Sequence, residues 1–242
     1  MSSTEHTPET ATTERARAPD GETTARDERD TWDESMSVAD IRSAYADYAD
    51  RMRRFEWLDR VIVGRYRRER FGDVTGRVLD VACGTGTNFR YLPEDVELVG
   101  VDISPAMLSS ARSQLDGLAI DGTLREMDAQ ALDFPDESFD AVVSALSTCT
   151  FPDPVAALRE MERVCKPDGT IRLVEHGPSD LGPVARFQEW RADAHYEQTG
   201  CRLTQEPADV VAEAGLAVTD TTTGLLGTVT TFEVDPSGGG QQ

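Results

Sequence analysis

Apolar positions along this chain follow two rhythms. From Val38 to Phe71 they recur at helical spacing, with Ile41, Tyr45, Tyr48, Met52 and Phe55 three or four residues apart. That is one apolar stripe on a helix. After Gly76 short β-branched runs alternate with helical stretches. Strands are expected at 77–82, 97–103, within 120–127, at 139–146 and at 170–175. Helices are expected near 88–91 and over 105–115, 154–165, 183–196 and 207–214. Two further strands, 217–222 and 226–234, are joined by Thr223-Gly224-Leu225, too short for a crossover helix. They predict an antiparallel hairpin at one edge. The whole is an α/β fold: a doubly wound, Rossmann-like, seven-stranded and mostly parallel sheet behind N-terminal helices.

Polar segments bound this region. Residues 1–35 hold ten acids, four arginines and eight threonines, with Trp32 almost the only large apolar side chain. Such a segment buries too little surface to offset its ordering entropy, so it reads as a disordered acidic tail. Residues 235–242 read as a loose end. The expected domain is 36–234, with a helical cap at 36–75 and the core at 76–234.

Charge changes the picture of the solvent more than of the fold. Of 242 residues, 45 are acidic and 24 basic, a formal net charge of −21. Lys166 is the only lysine. Such a surface resembles that of proteins from salt-adapted microbes. It argues against nucleic-acid binding, which needs a basic footprint. Residues 51–70 oppose the trend, with eight arginines against Glu56, Asp59 and Glu69. They read as helix-surface cations pairing with the chain's own acids, or else as a face for anionic lipid headgroups.

No apolar run reaches the length of a membrane span, and no signal pattern opens the chain, so the expected location is cytoplasmic. Cys83, Cys149, Cys165 and Cys201 form no C-x-x-C pair, and His6, His176 and His195 are the only histidines. No metal site is expected from this spacing, and Cys149 and Cys201 read as small hydrophobes. Nothing in the pattern fixes an oligomeric state.

The chemistry concentrates after the first strand, where residues 78–86 read VLDVACGTG. Gly84 and Gly86 let the backbone approach a ligand. A dinucleotide fingerprint needs a third glycine where Phe89 stands, which counts against a nicotinamide-dependent oxidoreductase. Asp80, ahead of the turn, suits a ligand with a cationic or amino-acid-like part. Asp102 ends the second strand and is placed to accept both ribose hydroxyls, or merely to cap the next helix. Asp128 ends the third and can accept from an exocyclic amine of adenine. A nucleoside carrying a sulfonium and an amino acid, S-adenosylmethionine, fits these three acids.

In motif order the chain resembles the class I S-adenosylmethionine-dependent methyltransferases: VLDVACGTG, then LVGVDIS at 98–104, MDAQALDFPDESFD at 127–140 and RVCKPDGTIRLVEHG at 163–177. The resemblance implies that Asp80, Gly84 and Gly86 border the methionine part, Asp102 the ribose, and Asp128 with Ala129 the adenine. It adds Ala82, Asn88, Ile103, Met107 and Ser144 to the cofactor-binding set, and Tyr45 on a helix that covers the cofactor. Residues 146–154, the Glu175-His176 pair and 200–204 look like phosphatidylethanolamine N-methyltransferases and thiol S-methyltransferases; quinone C-methyltransferases match less well. The acceptor is then a small or lipid-like nucleophile, with peripheral membrane contact open. His176, with Glu175, is a candidate base or a supporting hydrogen-bonding residue. His195, Phe187, Trp190 and Ala194 form a stripe that reads as core or pocket lining. A non-catalytic nucleoside binder is the remaining alternative.

Overall fold

The computed structural model describes residues 36–237, leaving aside the side chains of 46–53, 55 and 56. The tail expected at 1–35 lies outside the described residues, as do residues 238–242 of the tail expected at 235–242 and the side chains of Tyr48, Met52 and Phe55; Asp235 ends the last strand. Two helices come first, α1 (Val38–Ile62) and α2 (Gly64–Phe71). A capping box opens α1: the Ser37 hydroxyl accepts from the Asp40 amide, and the Asp40 carboxylate accepts from the Ser37 amide. Such caps contribute about 1 kcal/mol each.

The core follows as β1 (Arg77–Val81), β2 (Glu97–Asp102), α3 (Pro105–Leu115), β3 (Asp121–Glu126), β4 (Phe139–Ala145), α4 (Pro154–Val164), β5 (Cys165–His176), α5 (Gly182–Thr199), α6 (Pro207–Ala214), β6 (Ala217–Gly224) and β7 (Val229–Asp235). The expected helix near 88–91 is a single 3-10 turn, Phe89–Tyr91. Seven strands make one sheet in the order β3-β2-β1-β4-β5-β7-β6. The first five run parallel, and β7 is antiparallel to both β5 and β6. The edge hairpin is therefore present, with its second strand on the inside.

Lys166-Pro167-Asp168-Gly169, ahead of the strand expected at 170–175, bulges out of β5. Phe139 pairs with Cys165, and the next pair is Ala141 with Thr170. Lys166 Nζ donates to Asp140 Oδ1 at 2.5 Å across this bulge.

Central strands β1, β2 and β4 are nearly all buried, with Val78, Leu79, Val81, Leu98, Val142 and Val143 closed off from solvent. At about 25 cal/mol per Å² of apolar surface, each such side chain contributes about 1.5–3 kcal/mol. Both sheet faces being covered pushes the polar ends of the strands to one edge, at their carboxyl termini, where the site forms.

Candidate functional site

At the carboxyl ends of β1, β2 and β3 the sheet opens into a cavity of about 280 Å³. β1 leads into a turn in which Ala82, Gly84 and Gly86 all have positive φ, at 53°, 55° and 83°. The two glycines serve different ends. A Cβ on Gly84 would meet nothing within 4 Å and would stand in the cavity. A Cβ on Gly86 would lie 2.6 Å from the Phe89 ring and 3.1 Å from Ala111 Cα. Gly84 thus leaves space for a ligand, and Gly86 permits close packing. Phe89, where a dinucleotide site needs glycine, fills that packing space and is fully buried.

Asp102 closes β2 from inside the cavity wall. Its Oδ2 accepts from the Gly84 amide at 2.9 Å and its Oδ1 from the Ser104 amide at 2.8 Å. The helix cap is Ser104, whose hydroxyl accepts from the Met107 amide, with Pro105 in the first turn. Asp102 is thereby released from capping and braces the glycine turn. Burial raises its pKa, while the amides of Ser104 and Gly84 work the other way. Asp128 is held by the Gln130 amide, 2.9 Å from its Oδ1, and lines the cavity beside Met127 and Ala129.

Behind the turn stands a polar group that charge counting missed. Arg67 lies in the arginine-rich segment yet is only 4% exposed, lines the cavity and pairs with Asp59. Asn88 Nδ2 donates to Asp80 Oδ1 at 2.9 Å. Three buried atoms here have no partner among the described residues: Arg67 Nε, Asp80 Oδ2 and Asn88 Oδ1. Leaving a buried polar group unmade costs about 1–3 kcal/mol, so such a set marks a place that something else completes. Burial, opposed by Asn88 and Arg67, lifts the pKa of Asp80 to about 7.

Of the expected cofactor residues, Tyr45, Ala82, Gly84, Asn88, Asp102, Ile103, Met107, Asp128 and Ala129 line the cavity. Asp80 and Gly86 stand directly behind its wall. Ser144 does not face it: its hydroxyl donates to the Val81 carbonyl at 2.7 Å and meets the Ser147 hydroxyl at 2.5 Å. Glu175 is also turned inward. It is fully buried and accepts from the amides of Ser147 and Thr148 and from the Ser147 hydroxyl. It pins the 147–150 turn, and burial lifts its pKa to about 7.

His176 is not among the residues that line the cavity either. Its Nε2 lies 3.1 Å from Cys149 Sγ and 3.2 Å from Cys201 Sγ, and the two sulfurs are 3.2 Å apart. The contact with Cys149, ahead of the imidazoles of His176 and His195, holds the Cys201 thiol well below its usual range. Cys149 is pushed up in turn. Burial and then these sulfurs raise the pKa of the Tyr45 phenol, which lies between them and Asp102. On α5, Phe187 is 59% and Trp190 73% exposed, so that end of the stripe faces solvent, while Ala194 and His195 are half-buried. Arg70 pairs with Asp220 and Glu233, in line with arginines of 51–70 meeting the chain's own acids. The side chains of Arg51 and Arg53 lie outside the described residues.

The sheet order and the glycine turn define a Rossmann-like α/β fold, with three acids at or near the ends of its first three strands. Its central part, residues 79–173, matches the family model described as a methyltransferase domain, and a solved S-adenosylmethionine-dependent methyltransferase of Aquifex aeolicus has a similar fold, with TM-score 0.58 and 16% identity over 77% of this chain and 97% of that one. Among curated relatives, a phosphatidylethanolamine N-methyltransferase of Cereibacter sphaeroides is 39% identical over 126 residues, 51% of this chain and 61% of that protein. A demethylmenaquinone methyltransferase of Thermus thermophilus is 39% identical over 109 residues, 44% of this chain and 50% of that protein. The chain thus spans less than two thirds of the length of these relatives. A solved complex of the Haloferax volcanii Trm112 methyltransferase activator with a methyltransferase shares the fold, with TM-score 0.63 and 21% identity over 79% of this chain and 97% of that one.

Proposed function

We propose that the cavity binds S-adenosylmethionine and that the protein transfers its methyl group to a small or lipid-like nucleophile, at nitrogen or sulfur. One observation carries this reading: the unpartnered trio of Arg67 Nε, Asp80 Oδ2 and Asn88 Oδ1 beside the glycine turn. A buried cation and a buried carboxylate, each lacking one partner, match the carboxylate and ammonium of an amino acid. Asp102 would accept from the ribose hydroxyls and Asp128 from the adenine amine. The bound cofactor would supply a methyl group on a positively charged sulfur, already activated for displacement.

What remains for the chain is alignment. Holding two reacting atoms at about 3–3.5 Å is worth most of the barrier reduction in such a displacement. Tyr45, on α1, and the 147–150 turn, pinned by Glu175, would shape the approach. Since His176 is engaged by two thiols, positioning counts for more here than a general base. α5 leaves Leu181, Val184, Phe187 and Trp190 exposed, an apolar surface that suits a lipid-like acceptor. A quinone ring carbon is the second reading for the acceptor, favoured by the demethylmenaquinone methyltransferase relative.

Among the described residues no helix is long and apolar enough to cross a membrane. Cys83, Cys149, Cys165 and Cys201 are free thiols, which suits a reducing cytoplasm. With a net charge of −21, activity is expected to peak in concentrated salt. The test is calorimetry with S-adenosylmethionine, followed by release of S-adenosylhomocysteine on adding amines, thiols, phospholipids and quinols in high salt. Binding with turnover on one acceptor class is the expected result. Absence of cofactor binding would sink the proposal, and binding without turnover on any class would leave a nucleoside binder.

A further inference from the structure

One cluster of reactive side chains has no part in the cofactor cavity. Cys149 sits in the short helical turn after β4, His176 ends β5 and Cys201 follows α5. Their ligand atoms all lie within 4.8 Å of one another. Both thiols are buried, at 1% and 9% exposure. We propose that Cys149, His176 and Cys201 bind a thiophilic divalent cation, zinc being the ion their chemistry suits best.

The donor set argues for it. Two thiols and an imidazole are soft, strong ligands for zinc and weak hydrogen-bonding partners for each other. Zinc–sulfur bonds near 2.3 Å and zinc–nitrogen bonds near 2.0–2.1 Å put tetrahedral ligand atoms about 3.6–3.8 Å apart. The observed separations are 3.1, 3.2 and 3.2 Å. The triangle therefore needs to open by only about half an ångström, within reach of side-chain rotation. His195 of α5 also acts on the Cys201 thiol, lowering its pKa. Glu175 and Arg202 both act on Cys149 electrostatically with opposite signs, so neither charge dominates the neighbourhood.

Binding balances without redox chemistry. Two S–H bonds break, two protons leave to solvent, and two zinc–sulfur bonds and one zinc–nitrogen bond form. Two thiolates neutralise the ion, which removes the main cost of burying it. His176 takes the tautomer with its lone pair on Nε2. The ion would tie residue 201, just beyond α5, to the ends of β4 and β5, next to Tyr45. It would thereby fix one wall of the region an acceptor has to cross.

The test uses the full chain, reduced and purified anaerobically. Zinc content is measured by elemental analysis, and cobalt(II) is then substituted for zinc. Expected are stoichiometric zinc and, for cobalt(II), an intense thiolate charge-transfer band with the visible bands of a tetrahedral ion. Cys149→Ser with Cys201→Ser should abolish both, whereas Cys165→Ala should keep them. The wild-type spectrum and zinc protection of Cys149 and Cys201 against alkylation need no variant, so a folding failure in the double mutant leaves the question decided. A wild type that takes up neither ion overturns the proposal. So does full zinc retention in a folded double variant, or a Cys149–Cys201 disulfide in the anaerobic protein. None of these readouts depends on methyl transfer.

Discussion

The two halves of the sheet edge are built on opposite principles. Around β1, β2 and β3, buried polar atoms are left short of partners: Arg67 Nε, Asp80 Oδ2 and Asn88 Oδ1. Around β4 and β5, comparable groups satisfy one another. Ser144 bonds Val81 and Ser147, and Glu175 takes the amides of the 147–150 turn. On the proposed reading, the amino-acid part of the cofactor supplies the partners that the first half lacks. In the second half Ser144 and Glu175 are taken up by the scaffold itself, and so give little away about an acceptor. A binding half stores cost for its ligand to relieve; a scaffolding half spends its polar groups on holding shape.

The difference can be attacked directly. The largest effect is expected at Asp80. Its folded pKa of about 7 lies above its ordinary 3.8. A carboxyl raised in this way lends its stability fully below the unfolded value and loses it as pH climbs through about 7. The difference is on the order of 4 kcal/mol. Asp80→Asn should therefore stabilise the ligand-free protein at pH 8 and have little effect below pH 4, in urea melts at both pH values. The same substitution should weaken S-adenosylmethionine binding. A variant neither stabilised at pH 8 nor impaired in binding would erase the contrast.

Next comes Asp102→Ala. Loss of charged acceptors for two hydroxyls is worth about 3 kcal/mol, roughly a hundredfold in affinity by calorimetry. Gly86→Ala sharpens the comparison within the turn. Its Cβ would press on Phe89 and the Ala111 backbone at positive φ, so about 2 kcal/mol of stability should go, seen as a lower melting temperature. Ser144→Ala is the smallest. It should cost about 1 kcal/mol of stability and leave cofactor affinity unchanged. A drop in affinity there would return Ser144 to the cofactor site.

Much of the fold was legible because it rests on local rules. Strand and helix alternation, Pro105 and Pro154 at helix starts, and the short link after β6 are all written within a few neighbouring residues. The acids at 80, 102 and 128 were legible as candidates for the same reason, standing just before, at and just after a strand end. Arg67 was hidden, because in a run of arginines nothing local distinguishes the one that α2 turns inward. The Cys149, His176 and Cys201 cluster was hidden by distance. His176 stands 27 and 25 residues from its two partners, and only the sheet's topology brings them together. Ser144 and Glu175 sit at strand ends that point toward the site, yet their hydrogen bonds run the other way. That is decided by the 147–150 turn, which no periodicity describes.

The place of β7 has a consequence in time. It lies between β5 and β6 and pairs with both, although it is the last strand of the chain. While the protein is being made, β5 keeps an unpaired apolar edge until residues 229–235 have left the ribosome. Folding can therefore start at β1 to β4 but can finish only when β7 pairs with β5, carrying β6 on its outer side. A chain stalled before Val229 would expose an open strand edge, the kind that other chains readily extend into aggregates.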